Sequence, residues 1–217
     1  MEADDIRIVT EKEEVRPSKQ VKILGWITNP RMSMDSHLDL TIGKIKNIMA
    51  RMQSVKNYMT EKQRLCFANA YLVSSLKYGA PFLAGEKQSV KHKYHLATMM
   101  VARWIKNNYC FKVSCHKVCR SLNWNIPSQQ IAKEAAKFAH KIYFSRRPAQ
   151  ILRQIRMPRT RSKAKLSIKY KKKHEKYDHN LIVQSLKTYN NIPDELKDLP
   201  PKKFGEMIQN FWIKTED

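Results

Sequence analysis

Residues 22–40 read KILGWITNPRMSMDSHLDL, and the course of the chain on both sides follows from how this stretch is read. Val21 to Ile27 forms an apolar strand interrupted by Gly25. Asn29-Pro30 marks a turn, because Pro presets φ and pushes the preceding Asn out of the helical region. Asp35 or Ser36 then caps a long helix whose first turn carries His37 and Leu38. Upstream, a short strand over Ile6 to Val9 lies in a charge-rich lead-in.

Downstream the pattern is helical. Leu38, Ile42, Ile45, Met49 and Met52 recur at intervals of 4, 3, 4 and 3, an apolar stripe along a helix from Ser36 to Tyr58. Lys44, Lys46, Arg51 and Lys56 fall off that stripe. Thr60 and Gln63 form a capping box for a second helix, Glu61 to Tyr78, with Gly79 as its C′ residue and Pro81 as a stop. The short link implies an antiparallel pair. A third helix covers Lys87 to Lys106, with Tyr94, Ala97, Val101 and Trp104 on its apolar edge. Ser114 caps a short helix ending near Leu122, and Ser128 caps another over Gln129 to Phe144. Pro148 opens a further short helix ending near Ile155. Helical patterning returns at Asn180 to Tyr189, at Asp194 to Leu199, and after Pro200-Pro201, where Phe204, Ile208 and Phe211 share a side.

The composition bounds the function. Net charge is +23 over 217 residues, with 42% hydrophobic residues. A core is affordable, and the excess charge is best tolerated beside a polyanion, so RNA, an RNA–DNA hybrid or DNA is the expected partner. Only 5 Gly favour helices over many tight turns. No run reaches the ~18 apolar residues of a membrane span, and the acidic N-terminus lacks a signal-peptide core. Four Cys without such a signal suggest free thiols in an intracellular compartment, nuclear or cytoplasmic.

Between Arg146 and Lys176 there are thirteen Lys/Arg and one Glu. This basic run, including Arg159, Arg161, Lys163, Lys165, Lys171, Lys172 and Lys173, either forms a short strand around Leu166 and Ile168 or stays disordered without a partner. Its Lys and Arg suit phosphate contacts through counterion release, and Tyr170 and Tyr177 suit stacking on unpaired bases. The bland alternative is a solvated linker. Cys110, Cys115 and Cys119, with His116, His92 and His95, invite a zinc reading. Their spacings lack the C-x2-C knuckle and leave no fourth ligand, so buried or free thiols are expected and no metal site is assigned. No Cys–His or Ser–His pairing carries a nucleophile motif, and no catalytic residue is assigned.

Leu24-Gly25 and His37-Leu38 stand where reverse transcriptases of non-LTR retrotransposons carry the end of the primer-grip strand and the start of the first thumb helix. The segment Ala70 to Ala80, AYLVSSLKYGA, resembles the family's second thumb helix and its Tyr-Gly exit. Leu122-Asn123-Trp124 followed by Pro127 to Ile131 is similar to its leucine-glycine-tryptophan turn, with Asn123 replacing Gly. Tyr189 to Phe204 looks like the asparagine-leucine-proline block near its C-terminus. The resemblance covers roughly residues 20 to 213, and the order of the blocks is its strongest element.

The resemblance implies a helical thumb that grips template–primer duplex by its backbone. Lys44, Lys46, Arg51 and Lys56 would make the contacts from the first helix, with Lys19 and Lys22 flanking the grip strand. It also implies that chemistry resides elsewhere. Two Mg2+ in the intact parent polymerase are held by palm carboxylates, best known from an aromatic-Ala-Asp-Asp motif. Here Glu2-Ala3-Asp4-Asp5 has Glu in the aromatic's place, and is either a remnant or an ordinary acidic stretch. No cofactor and no polymerase activity are expected of these residues alone.

The expected fold is mainly α: a β element over 1–34, a thumb-like helical bundle over 35–155, a basic and partly disordered linker over 156–179, and a helical segment over 180–217. The expected function is template–primer binding as part of an RNA-directed DNA polymerase. The alternatives are a non-enzymatic nucleic-acid-binding protein derived from such an element, or a decayed product. Oligomeric state is left open.

Overall fold

The computed structural model describes residues 8–9, 14–15, 18, 20–23, 25–29, 33–108, 113–156, 166–168 and 180–214. It is mainly helical, as expected, with short antiparallel β pairs. β1 (Ile8–Val9) pairs with β2 (Glu14–Val15). The single strand expected over 21–27 is instead a hairpin: β3 (Val21–Ile23) pairs with β4 (Trp26–Thr28), with Ile23 opposite Trp26. Gly25 lies in the turn at φ +87°. That left-handed conformation is open to glycine and strained for residues with a Cβ, so Gly25 reverses the chain.

α1 (Asp35–Arg51) buries Leu38, Thr41 and Ile45. It ends at Met52, and a separate turn, α2 (Gln53–Lys56), follows. α3 (Glu61–Phe67) opens on the expected capping box: Gln63 N–H donates to Thr60 Oγ1 at 3.3 Å, and Thr60 N–H donates to Gln63 Oε1 at 2.8 Å. A π-helical turn (Ala68–Val73) carries the helix into α4 (Ser74–Lys77). Gly79 does not act as a left-handed cap, since its φ is not positive. What it provides is room: a Cβ there would lie 2.6 Å from Met34 Cε. A 3-10 turn (Phe82–Gly85) leads to α5 (Gln88–Lys106). This helix buries nine residues, including Tyr94, Val101, Trp104 and Ile105, and ends on Asn107 at φ 51°.

α6 (Cys115–Ser121) is capped by Ser114 as expected. Asn123, which stands where the resembled family has Gly, has φ +54°. The backbone at this position therefore takes a conformation in which Gly is unstrained and Asn is tolerated. α7 (Pro127–Ser145) starts earlier than expected, with Ile126 rather than Ser128 as its N-cap, because Pro127 suits the first helical position. α8 (Ala149–Gln154) runs into β5 (Ile155–Arg156), which pairs with β6 (Ser167–Ile168). α9 (Leu181–Asn190), α10 (Asp194–Lys197) and α11 (Pro201–Lys214) complete the chain.

Two apolar clusters meet along α7. The first contains Leu38, Leu72, Trp104 and Ile131; the second contains Ala136, Ile142, Ile155, Leu186 and Phe204. The boundary expected at 155/156 falls within β5, and α9 and α11 share a core with α7 instead of forming one of their own. Short amphipathic helices bury little surface alone, which explains the shared core. Among the described residues no helix is long and apolar enough to cross a membrane.

Candidate nucleic-acid interface

The β3–β4 hairpin presents Trp26 to the start of α1. Its ring stacks on His37 (centroids 5.9 Å apart, planes 25° apart) and meets Phe82 (3.9 Å) and Tyr78 (5.9 Å) edge-on. Segments up to about fifty residues apart in sequence, the hairpin, the His37-Leu38 helix start and the Tyr78-Gly79 exit, thus converge on one aromatic cluster. Burial, with Lys44 close by, holds the His37 imidazole below its ordinary pKa.

α1 is fixed from two directions. Neither Asp35 nor Ser36 caps it; the N-cap is Met34, which has no oxygen to offer. Glu86, at the approach to α5, substitutes: Met34 N–H donates to Glu86 Oε1 at 2.6 Å and Ser33 Oγ to Oε2 at 3.3 Å. A carboxylate here also faces the positive end of the helix dipole. Along the helix, Lys93 of α5 pairs with Asp35 at 2.6 Å and Asp39 at 3.0 Å, which raises the Lys93 pKa.

Lys44, Lys46 and Arg51 are exposed, as is Lys22 on β3. They do not form one row. Lys44 and Arg51 are seven residues apart and share a face, whereas Lys46 lies about 160° round the helix from Lys44. Lys46 flanks the side on which Asp39 meets Lys93. A phosphate backbone lying along one side of α1 would therefore be contacted by Lys44 and Arg51 together.

Lys56 corrects the expectation for this helix. It is 0% exposed, with Nζ 5.7 Å from the centroid of the Trp104 ring. Lys56 follows Met52 by four residues and Met49 by seven, so it continues the apolar stripe instead of falling off it, and the bonds from Met52 N–H to Ile48 O and from Lys56 N–H to Met52 O carry the helical phase through. Lys56 packs its stem against the core and faces an aromatic ring, so it contacts no phosphate. Beside it, Arg64 ties two helix ends together: Nε donates to Ile105 O at 2.7 Å and Nη1 to Met59 O at 2.6 Å.

Of the basic run, Arg159, Arg161, Lys163, Lys165, Lys171, Lys172, Lys173, Tyr170 and Tyr177 lie outside the described residues, as do Lys19 and Cys110. The short strand expected around Ile168 is present as β6. Leu166 is held by Asn190, whose Oδ1 accepts from Leu166 N–H at 3.0 Å and whose Nδ2 donates to Leu166 O at 2.9 Å. Arg146 and Arg147, at the corner between α7 and α8, and Arg153 within α8 are exposed at the start of the run. The density of cations in sequence pointed to this corner.

The cysteines and histidines are not gathered. Cys115 Sγ lies 3.1 Å from Met99 Sδ and 3.9 Å from Cys119 Sγ. Burial raises the pKa of both thiols, that of Cys119 to about 12, so they remain protonated packing groups. His92 and His95 stack on each other at 6.2 Å. Among the described residues no three His, Cys, Asp or Glu side chains are placed to hold a metal ion. The Asp4-Asp5 pair lies outside them. Sequence reading passed over Glu86, Arg64 and Trp26, whose roles depend on partners distant in sequence.

No family model matches this chain, and neither a curated protein nor a solved structure is found to be similar to it.

Proposed function

We propose that these residues form the thumb and C-terminal part of a non-LTR-type reverse transcriptase and bind template–primer duplex, with catalysis supplied by a palm outside the 217 residues. The observation that carries this reading is the convergence of the hairpin, the His37-Leu38 helix start and the Tyr78-Gly79 exit on Trp26. Two further features support it. Lys44 and Arg51 lie exposed on one face of α1. Ile23, Tyr78 and Phe82, all substantially exposed, line one groove beside the hairpin, an apolar surface of the kind that an adjoining domain covers.

The second reading is a non-enzymatic nucleic-acid-binding protein whose main contact is the basic run, with the exposed Arg146, Arg147 and Arg153 at its entrance. Anisotropy titrations with a labelled RNA–DNA hybrid and a single-stranded RNA of equal length separate the two. The thumb reading expects tighter binding to the hybrid and loss of that preference in Lys44→Ala/Arg51→Ala. Equal binding of both ligands, weakened only by Lys171→Ala/Lys172→Ala/Lys173→Ala, favours the second reading and contradicts the first.

A further inference from the structure

A small cavity of ≈50 Å³ lies between the Val73–Lys77 end of the second helix, α5, α7 and the loop around Asn125. About four water-sized groups fit in such a volume. Two polar side chains in its wall are almost entirely buried. Lys133 is 3% exposed and Asn125 is 8% exposed. The amide oxygen of Asn125 has no hydrogen-bond partner among the described residues. An unpaired buried acceptor of this kind costs about 1–3 kcal/mol and marks a place where a donor belongs.

The charge around the cavity is positive. Lys77 and Lys133 line it, and Lys137 stands nearby. The single carboxylate in the group, Glu134, is already engaged: its Oε1 accepts from Gln130 Nε2 at 2.9 Å and from Lys137 at 3.5 Å. Lys133 Nζ is 3.9 Å from the same oxygen, beyond hydrogen-bond reach. The site therefore offers a buried cation and, beside it, an acceptor that needs a hydrogen.

We infer that this cavity binds a hydrogen phosphate group, free or as the monoanion of a phosphate monoester, with Lys133 as countercharge and Asn125 Oδ1 accepting from the anion's own hydroxyl. Sulfate has the same shape and charge but no hydrogen at neutral pH, so it would set an oxygen against Oδ1. The site thus selects phosphate over sulfate. Burial and Lys137 hold the Lys133 ammonium down to about 8. An arriving anion favours the charged amine, so binding at pH 8 takes up protons. This site is independent of the α1 face.

Calorimetry of the full chain at constant ionic strength tests the inference. Inorganic phosphate is expected to bind one-to-one and at least tenfold tighter than sulfate, with proton uptake at pH 8 read from the buffer dependence of the heat. Lys133→Met is expected to lose at least tenfold in phosphate affinity. Asn125→Leu is expected to bring phosphate and sulfate within about twofold of each other. Lys44→Ala/Arg51→Ala is expected to leave phosphate binding unchanged. At pH 6, where the 5′-phosphate monoanion is well populated, a 5′-phosphorylated oligonucleotide that gains over its 5′-hydroxyl counterpart only when Lys133 is present assigns the ligand to a strand end; no gain assigns it to a free phosphate. Equal phosphate and sulfate affinity in the wild type overturns the inference without recourse to any variant. So does a phosphate preference that persists in folded Asn125→Leu.

Discussion

Replacing Arg64 is expected to loosen two helix ends at once. Its guanidinium donates to Ile105 O at the end of α5 (2.7 Å) and to Met59 O beyond α2 (2.6 Å), with Lys56 O a weaker third partner at 3.4 Å. Ile105 O, and Lys56 O at the end of α2, belong to the groups that a helix end leaves without partners and carry the negative end of the helix dipole, while Met59 O lies in the turn that leads to α3. Hydrogen bonds from a charged donor contribute roughly 1.5–3 kcal/mol each. Arg64 is half-buried, so the lower figure applies, and two short bonds give about 3 kcal/mol for Arg64→Ala. Arg64→Lys keeps the charge without the fork that reaches both carbonyls, so about half the loss is expected. Urea unfolding provides the assay. With a slope of about 2–3 kcal/mol/M, the midpoint should fall by about 1–1.5 M for Arg64→Ala. A fall below about 0.3 M, or Lys performing as well as Arg, would show that the fork does not hold these helix ends together.

Two more outcomes follow from the capping and burial of single groups. Glu86→Ala removes the acceptor for Met34 N–H and should cost about 1 kcal/mol, or about 2–4 °C in melting temperature, with Glu86→Gln losing less; equal melting of all three would contradict the cap. His140 is 1% exposed, stacked on Phe204 at 3.9 Å, with Nε2 2.9 Å from Leu199 O and Nδ1 3.1 Å from Tyr189 OH. A neutral ring protonated at Nε2 satisfies both contacts, donating to the carbonyl and accepting from the phenol. Burial lowers its pKa in the fold. The unfolded chain therefore binds the proton first as pH falls below about 6.5, and stability present above that pH is lost beneath it. His37 and His95 are shifted in the same direction, so His140→Gln should remove part of the decline between pH 7 and 5, and an unchanged slope would contradict the assignment.

Much of the helical skeleton was legible because its signals are local. The Thr60–Gln63 box, Ser114 and Asn180 all act within a few residues, and α3, α6 and α9 begin where they stand. Turns and breaks were less legible. Gly25 read as an interruption is a reversal, and Met52 ends a helix whose apolar stripe continues unbroken through it. Lys56 was misplaced for another reason: four residues after Met52 and seven after Met49, it stands on the same apolar stripe, and its charge drew attention away from that spacing. Lys133 and His140 were overlooked because α7 shows one apolar stripe, yet α5, α9 and α11 pack around it and bury its polar side as well. Such sandwiching depends on elements distant in the chain, and helical periodicity in a single segment does not record it. For the candidate interface, exposure of Lys44, Lys46 and Arg51 followed correctly from the periodicity of α1, and the same spacing divides them between two flanks; that Lys46 flanks the side meeting Lys93 required the partner helix.

The central claim is that the Lys44–Arg51 face of α1 grips a duplex backbone, and the salt dependence of hybrid binding tests it most directly. Each lost phosphate contact lowers the slope of log K against log [salt] by about 0.7–0.9. Lys44→Ala/Arg51→Ala should therefore flatten the wild-type slope by about 1.4–1.8, while Lys56→Met, with its buried amine, leaves it unchanged. A slope unaltered in Lys44→Ala/Arg51→Ala, or one that falls in Lys56→Met, would contradict the account.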